Sequence, residues 1–215
     1  MICGVDEAGR GPVMGPLVVC GVSVEDEAPL VGLGVRDSKK LTRSRRDELA
    51  PRIIEVSQVE VVEVSAEEID ALRERMTINQ LEAMLFARVI DRLSPTIAYL
   101  DAADVSEERF CEMTRSHMSC GASTVAKHRA DDAYPVVSAA SIIAKVTRDR
   151  RVGLIERELG TSLGSGYASD PVTRAFLQNW IAEKGSLPPH TRRSWETSQK
   201  LMNLKGMRTL ESFEG

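Results

Sequence analysis

Three short apolar runs in this chain end at or just before an acidic residue, and this pattern constrains the fold more than any other feature. Ile2 to Asp6 closes on the pair Asp6-Glu7, and Ile97 to Asp101 closes on an acid of its own. A strand-like stretch over 123–127 leads into His128-Arg129-Ala130-Asp131. Short apolar runs rich in β-branched residues read as strands. Val13 to Val24, a longer β-branched run broken by glycines, and Val59 to Val64, where valine alternates with glutamate, join them.

The segments between these runs carry helix signals. Residues 25–40 contain Pro29, Gly32 and Gly34 and read as a loop ending in Asp37-Ser38-Lys39-Lys40. A charged helical pattern follows over 43–56, interrupted by Pro51, which should weaken or break it. Ser65 with Glu68 and Thr77 with Gln80 match the capping box that opens helices. After the second, Ile78, Leu81, Leu85, Val89 and Leu93 recur on one helical face. Residues 106–118 read as helix, as does an Ala-rich stretch from about Ala133 to Leu159 that Gly160 terminates. Its small residues Ser138, Ala139, Ala140, Ser141 and Ala144 would let it lie close on a sheet. Asp170-Pro171 opens a last helix over 171–184, and Gly185 closes it. Strands early, helices late and β-α-β alternation between them predict an α/β fold: a mixed sheet flanked by helices, with a small C-terminal helical segment.

Composition narrows the function classes. The 215 residues suffice for one full-sized core. With 28 Lys+Arg against 32 Asp+Glu and a net charge of -4, any phosphate-binding surface must be local. Cys3, Cys20, Cys111 and Cys120 form no C-x-x-C pair, which argues for reduced, mostly buried thiols over a zinc site or disulfide framework. The absence of a leader pattern and of any run near ~18 apolar residues points to a cytoplasmic protein with no membrane partner. The phosphate-loop pattern G-x-x-x-x-G-K-[ST] is missing, which removes that class of NTPase despite the Gly-rich opening.

The strand-end acids admit two readings. They are ordinary caps and solvent-facing acids, or they converge on a shared cation that offsets their mutual repulsion. All-oxygen donors of this kind suit magnesium or manganese, but spacing alone does not choose between the readings.

Longer motifs add a resemblance. Asp6-Glu7-Ala8-Gly9-Arg10-Gly11-Pro12, with Gly15-Pro16-Leu17-Val18-Val19 beyond it, resembles the opening signature of ribonuclease HII. Further matches follow in the same order: Asp37-Ser38-Lys39-Lys40-Leu41, Tyr99-Leu100-Asp101, His128-Arg129-Ala130-Asp131, Ser141-Ile142-Ile143-Ala144-Lys145-Val146 and Gly164-Ser165-Gly166-Tyr167-Ala168-Ser169-Asp170-Pro171. The compact single chain is most similar to the archaeal members. The resemblance implies a ribonuclease H-like catalytic domain over 1–165, a helical substrate-binding segment over 166–206 and a tail over 207–215. It also implies an endonuclease that hydrolyses the RNA strand of RNA/DNA hybrids, including single ribonucleotides in duplex DNA, by two-metal catalysis leaving 5′-phosphate and 3′-hydroxyl ends. Carried over by position, Asp6, Glu7, Asp101 and Asp131 become the ligands of Mg2+ or Mn2+. His128, three residues before Asp131, is assigned a structural role.

In the same family the loop matching Gly9, Arg10 and Gly11 reads the 2′-hydroxyl, and the tyrosine matching Tyr167 stacks at the RNA-to-DNA junction. The alternatives are a tight turn for the former and a ring packed on the following helix for the latter. Lys39, Lys40 and Lys145 sit within matched motifs and are expected at phosphates, with Arg148, Arg192 and Arg193 as further candidates. The tail resembles a degenerate sliding-clamp-binding peptide: Leu210 and Phe213 occupy hydrophobic positions, while Met207 and Glu214 depart from the pattern. The expected state is a monomer. Competing readings are a non-catalytic hybrid-binding module, against which four intact acids argue, and a DNA-cutting integrase or resolvase relative, which would lack this loop and Tyr167 together.

Overall fold

The computed structural model describes residues 1–35 and 41–211, with side chains described through Asn203. The strands are β1 (Ile2–Ala8), β2 (Leu17–Val24), β3 (Gln58–Val64), β4 (Ile97–Asp101) and β5 (Ser123–Lys127). The helices are α1 (Ala28–Leu33), α2 (Arg43–Val56), α3 (Ala66–Arg73), α4 (Ile78–Leu93), α5 (Glu107–His117), α6 (Ala130–Ala133), α7 (Pro135–Leu159), α8 (Pro171–Lys184) and α9 (Glu196–Glu211). They divide into two compact units: residues 1–8, 18–63 and 76–148, and residues 9–17, 64–75 and 149–215.

The first unit contains the sheet, ordered β3-β2-β1-β4-β5. β1 pairs antiparallel with β2 and parallel with β4, and β4 pairs parallel with β5. This is the expected mixed sheet. One face is covered by the N-terminal part of α7, where residues 136–144 are all buried. A helix buried on every side has no polar stripe to offer water, which accounts for the small apolar residues seen in the sequence. The fit is closest at Gly4, where a Cβ would stand 2.3 Å from the Val136 carbonyl carbon and the Val137 nitrogen. Val18, Cys20 and Val22 of β2 complete this core with Leu49 and Ile53 of α2.

The second unit has a smaller core in which Val13 and Met14 pack with Ile155, Leu163 and Leu177. Helix α3 is tied to the segment before α9: the Asp70 carboxylate accepts from the Arg193 and Ser194 amides at 2.7 and 2.9 Å.

Both capping boxes form as expected, on Ser65 and Thr77, and the Asp170 cap and left-handed Gly185 bound α8. Three expectations change. The strand foreseen from Val13 begins at Leu17, because Gly15 at φ +83° and Pro16 turn the chain first. Pro29 and Gly34, read as loop breakers, instead start and stop the short helix α1. Pro51 lies inside α2 without ending it, since buried Leu49, Ala50 and Ile53 hold the helix against the core. All four cysteines are free thiols, three of them buried. Among the described residues no helix is long and apolar enough to cross a membrane.

Candidate active site

Strand register brings the first two acids together. β1 and β4 run parallel with Val5 opposite Leu100, and the next residue on each strand is Asp6 and Asp101. Paired residues of adjacent strands lie on the same face, about 5 Å apart. That face is the one covered by α7, because Gly4, two residues before Asp6, lies against Val136. Asp101 Oδ1 accepts a 2.8 Å hydrogen bond from the Ala130 amide, which fastens the start of α6 to the end of β4 and sets Asp131 next in the chain. Asp6 is 4% exposed and Asp131 1%, so both carboxylates are withdrawn from water.

Burial pushes the Asp6 carboxyl above the ordinary aspartate range. The Lys145 ammonium, the Ser141 hydroxyl and the Glu7 amide pull the other way without reversing it, and the Asp131 charge adds to the rise. The Glu7 amide donates to Asp6 Oδ1 at 2.7 Å, while Lys145 donates to Ser141 one turn away on α7. The Oε2 of Glu7, the next residue on β1, is buried as well.

Among the described residues no three His, Cys, Asp or Glu side chains already surround a point that a metal could occupy. The donors do fit a hard divalent ion. They are carboxylate oxygens, buried where like charges repel, and magnesium takes only one or two carboxylates before completing its shell with water and substrate phosphate.

Beyond Asp104, the chain that leaves β4 is braced from several sides. Burial would raise the Asp104 carboxyl, but the Ser106 amide, Arg109 and Asn79 outweigh it and hold the value at about 2. Sequence reading missed this residue, since nothing in its surroundings distinguishes it from other loop acids. Ser141, a small packing residue by its sequence pattern, is also a hydrogen-bond partner of Asp6. His128 enters through its backbone, whose N–H donates to Glu107 at 2.7 Å.

The Gly9-Arg10-Gly11 loop and Tyr167 both belong to the second unit. Gly9 has φ +90°, a conformation that favours glycine. A Cβ on Gly11 would meet the Tyr167 ring at 3.2 Å, so loop and ring lie close together. Tyr167 keeps 43% of its surface exposed and its ring lies at the loop. Arg192 and Arg148 correct the sequence reading. Arg192 is 0% exposed and Arg148 8%, placements that do not suit phosphate contacts. Arg192 instead donates to backbone carbonyls of the loop. Neighbouring arginines at 192 and 193 gave no signal that one would turn inward. Lys39, Lys40 and Phe213 lie outside the described residues, as does the Leu210 side chain; the backbone at Leu210 is part of α9.

Comparison with known proteins places the chain in a family. The ribonuclease HII family model matches residues 3–198. A ribonuclease HII of Methanoregula boonei is 47% identical over 213 residues, covering 99% of this chain and all of that one. Among solved structures, the ribonuclease HII of Archaeoglobus fulgidus, determined in complex with PCNA, superposes with TM-score 0.87 at 47% identity, covering 94% of this chain and 96% of that one. Ribonuclease H2 of Pyrococcus horikoshii gives TM-score 0.87 at 40% identity, covering 94% and 97%. The chain therefore belongs to the ribonuclease HII family, the type 2 ribonucleases H, whose members are divalent-metal-dependent hydrolases that cut RNA/DNA hybrids endonucleolytically.

Proposed function

We propose that this chain cuts the RNA strand of hybrids and also nicks duplex DNA at a single embedded ribonucleotide, leaving 5′-phosphate and 3′-hydroxyl ends. The observation that carries the reading is the placement of Asp6 and Asp101 at the ends of neighbouring parallel strands, with Asp101 bonded to the residue before buried Asp131. Asp6, Glu7, Asp101 and Asp131 would hold two magnesium or manganese ions. Such a pair, when bound, supplies an activated water and offsets charge at the scissile phosphate and the leaving 3′-oxygen. Lys145 and Ser141 share the charge of Asp6, and the Lys145 ammonium also offers positive charge to the substrate, as Lys39 and Lys40 would from their own motif.

Selection of the ribonucleotide falls to Gly9, Arg10 and Gly11, whose backbone approaches the 2′-hydroxyl that separates RNA from DNA. Tyr167 stacks at the junction. Residues 1–165 carry the chemistry and 166–206 hold the duplex. The tail, 207–215, reaches a sliding clamp through Leu210 and Phe213, a reading supported by the PCNA complex of the Archaeoglobus relative. The protein acts as a cytoplasmic monomer.

A labelled duplex bearing one ribonucleotide tests the reading. With magnesium, a nick on the 5′ side of that nucleotide and a 3′-hydroxyl end are expected, with an all-DNA duplex left intact. Cleavage of the all-DNA duplex, or no nick, would overturn it. Deleting 207–215 should abolish clamp pull-down and spare hybrid cleavage; undiminished pull-down would refute the clamp assignment.

A further inference from the structure

The loop after β1 is held by one buried cation. Arg192 donates through Nη2 to the Gly9 carbonyl, through Nη1 to the Arg10 carbonyl at 2.8 Å and through Nε to the Gly15 carbonyl at 3.1 Å. Its guanidinium carbon stands 4.8 Å from the centre of the Trp195 ring. Its backbone is fixed as well: the Arg192 amide donates to the Val13 carbonyl at 2.8 Å, and its carbonyl accepts from the Ser198 hydroxyl at 2.7 Å. A lysine would not replace it, because an ammonium is a point charge without the rigid planar fork that engages three carbonyls at once.

This anchoring has a geometric consequence. A trans peptide is planar, with its C=O and N–H on opposite edges. Drawing the Gly9 carbonyl to the guanidinium turns the Arg10 N–H to the other side, and drawing the Arg10 carbonyl does the same to the Gly11 N–H. Two successive amide donors therefore leave the loop on the side away from Arg192, a pairing suited to an oxygen ligand.

We infer that Arg192 is the positioning residue that aims the Arg10 and Gly11 amides, and so sets how sharply the enzyme distinguishes a 2′-hydroxyl from a deoxyribose. This rests on the reading that the loop meets the 2′-hydroxyl. Being shut off from solvent, Arg192 acts through the loop.

The test compares the full chain with Arg192→Lys and Arg192→Gln on a duplex bearing one ribonucleotide, with folding checked by circular dichroism. Both variants should lose on the order of 10–100-fold in kcat, the scale of a displaced reacting group. KM should move by less than about threefold. The slope of log binding constant against log salt should not change, whereas loss of a phosphate contact would reduce it by about one. A folded variant with parental kcat, or a slope reduced by one, overturns the inference. Should both variants fail to fold, Trp195→Leu decides, since it removes the ring over the guanidinium and so loosens the fork that holds the three carbonyls. It should lose about threefold in kcat with the slope unchanged, and parental kcat would again overturn the inference. If the unmodified enzyme does not nick this duplex, the proposed function itself fails. If the enzyme and Arg192→Lys nick it equally, only the role of Arg192 falls.

Discussion

At the ends of β1 and β4, carboxylates are set by the sheet itself, whereas the residues that follow β1 keep their shape through bonds to Gly166, His190 and Arg192. The first arrangement needs only strand register and one amide bond from Ala130 to Asp101. It gathers negative charge in a buried place, which costs stability until a cation arrives. The second concentrates no such charge. It is a glycine-bearing loop that would be free to take other shapes, and it is fixed by a buried arginine and by the Tyr167 ring against Gly11. On the proposed assignment, chemistry would sit on rigid elements at an electrostatic cost, and recognition on a loop braced from far along the chain.

The largest expected effect is on the charged side of this contrast. Asp101→Asn keeps an oxygen for the Ala130 amide but removes the charge, and hybrid cleavage in magnesium should fall by about 10³-fold or more. A loss under tenfold would separate Asp101 from the chemistry. Next comes the sheet that sets the acids. Gly4→Ala drives a methyl group into the α7 backbone, which cannot move aside as a side chain can, and should cost about 3 kcal/mol in urea unfolding. An unchanged midpoint would show that α7 does not bear on β1 so closely. On the loop side, Tyr167→Ala should slow nicking at a single ribonucleotide about tenfold more than cleavage of a long hybrid, the scale of one stacked base. Equal losses would remove its junction role.

The smallest effect is a pH dependence. Asp104 has a folded value of about 2, below the unfolded value near 4. Its contribution to stability is therefore complete above about pH 5 and fades as the pH falls toward 2. The stability difference between the protein and Asp104→Asn should narrow over that window in acid-unfolding curves. A difference constant down to pH 2 would contradict the assignment. Asp6 has the opposite sign, since burial raises its carboxyl, so folding favours its protonated form and its charge opposes folding at neutral pH.

Much of the first region was legible in the sequence because short strands ending in acids are local patterns, and the capping boxes at Ser65 and Thr77 likewise lie within four residues. The convergence of Asp6 with Asp101 was not, since it depends on β1 and β4 being neighbours, a pairing across every element from β2 to α4. The motifs supplied by resemblance bridged that gap for the acids. They gave no help with Arg192, whose three carbonyl partners lie over 170 residues away in the chain; composition favours reading a pair of arginines as a solvated or phosphate-binding patch. Most of α9 falls within the helical segment expected over 166–206, and its backbone runs on into the tail that the peptide motif starts at Met207.

The most direct measurement of the division between charged strand ends and braced loop is nicking of a duplex with one ribonucleotide, with magnesium and with chelator, by the protein and by Asp6→Asn. Magnesium-dependent nicking that disappears in Asp6→Asn, while the variant still binds the duplex and melts in chelator at or above the parental temperature, is the expected result. Nicking that survives in Asp6→Asn, or in chelator, would contradict the assignment of the strand-end acids to the chemistry.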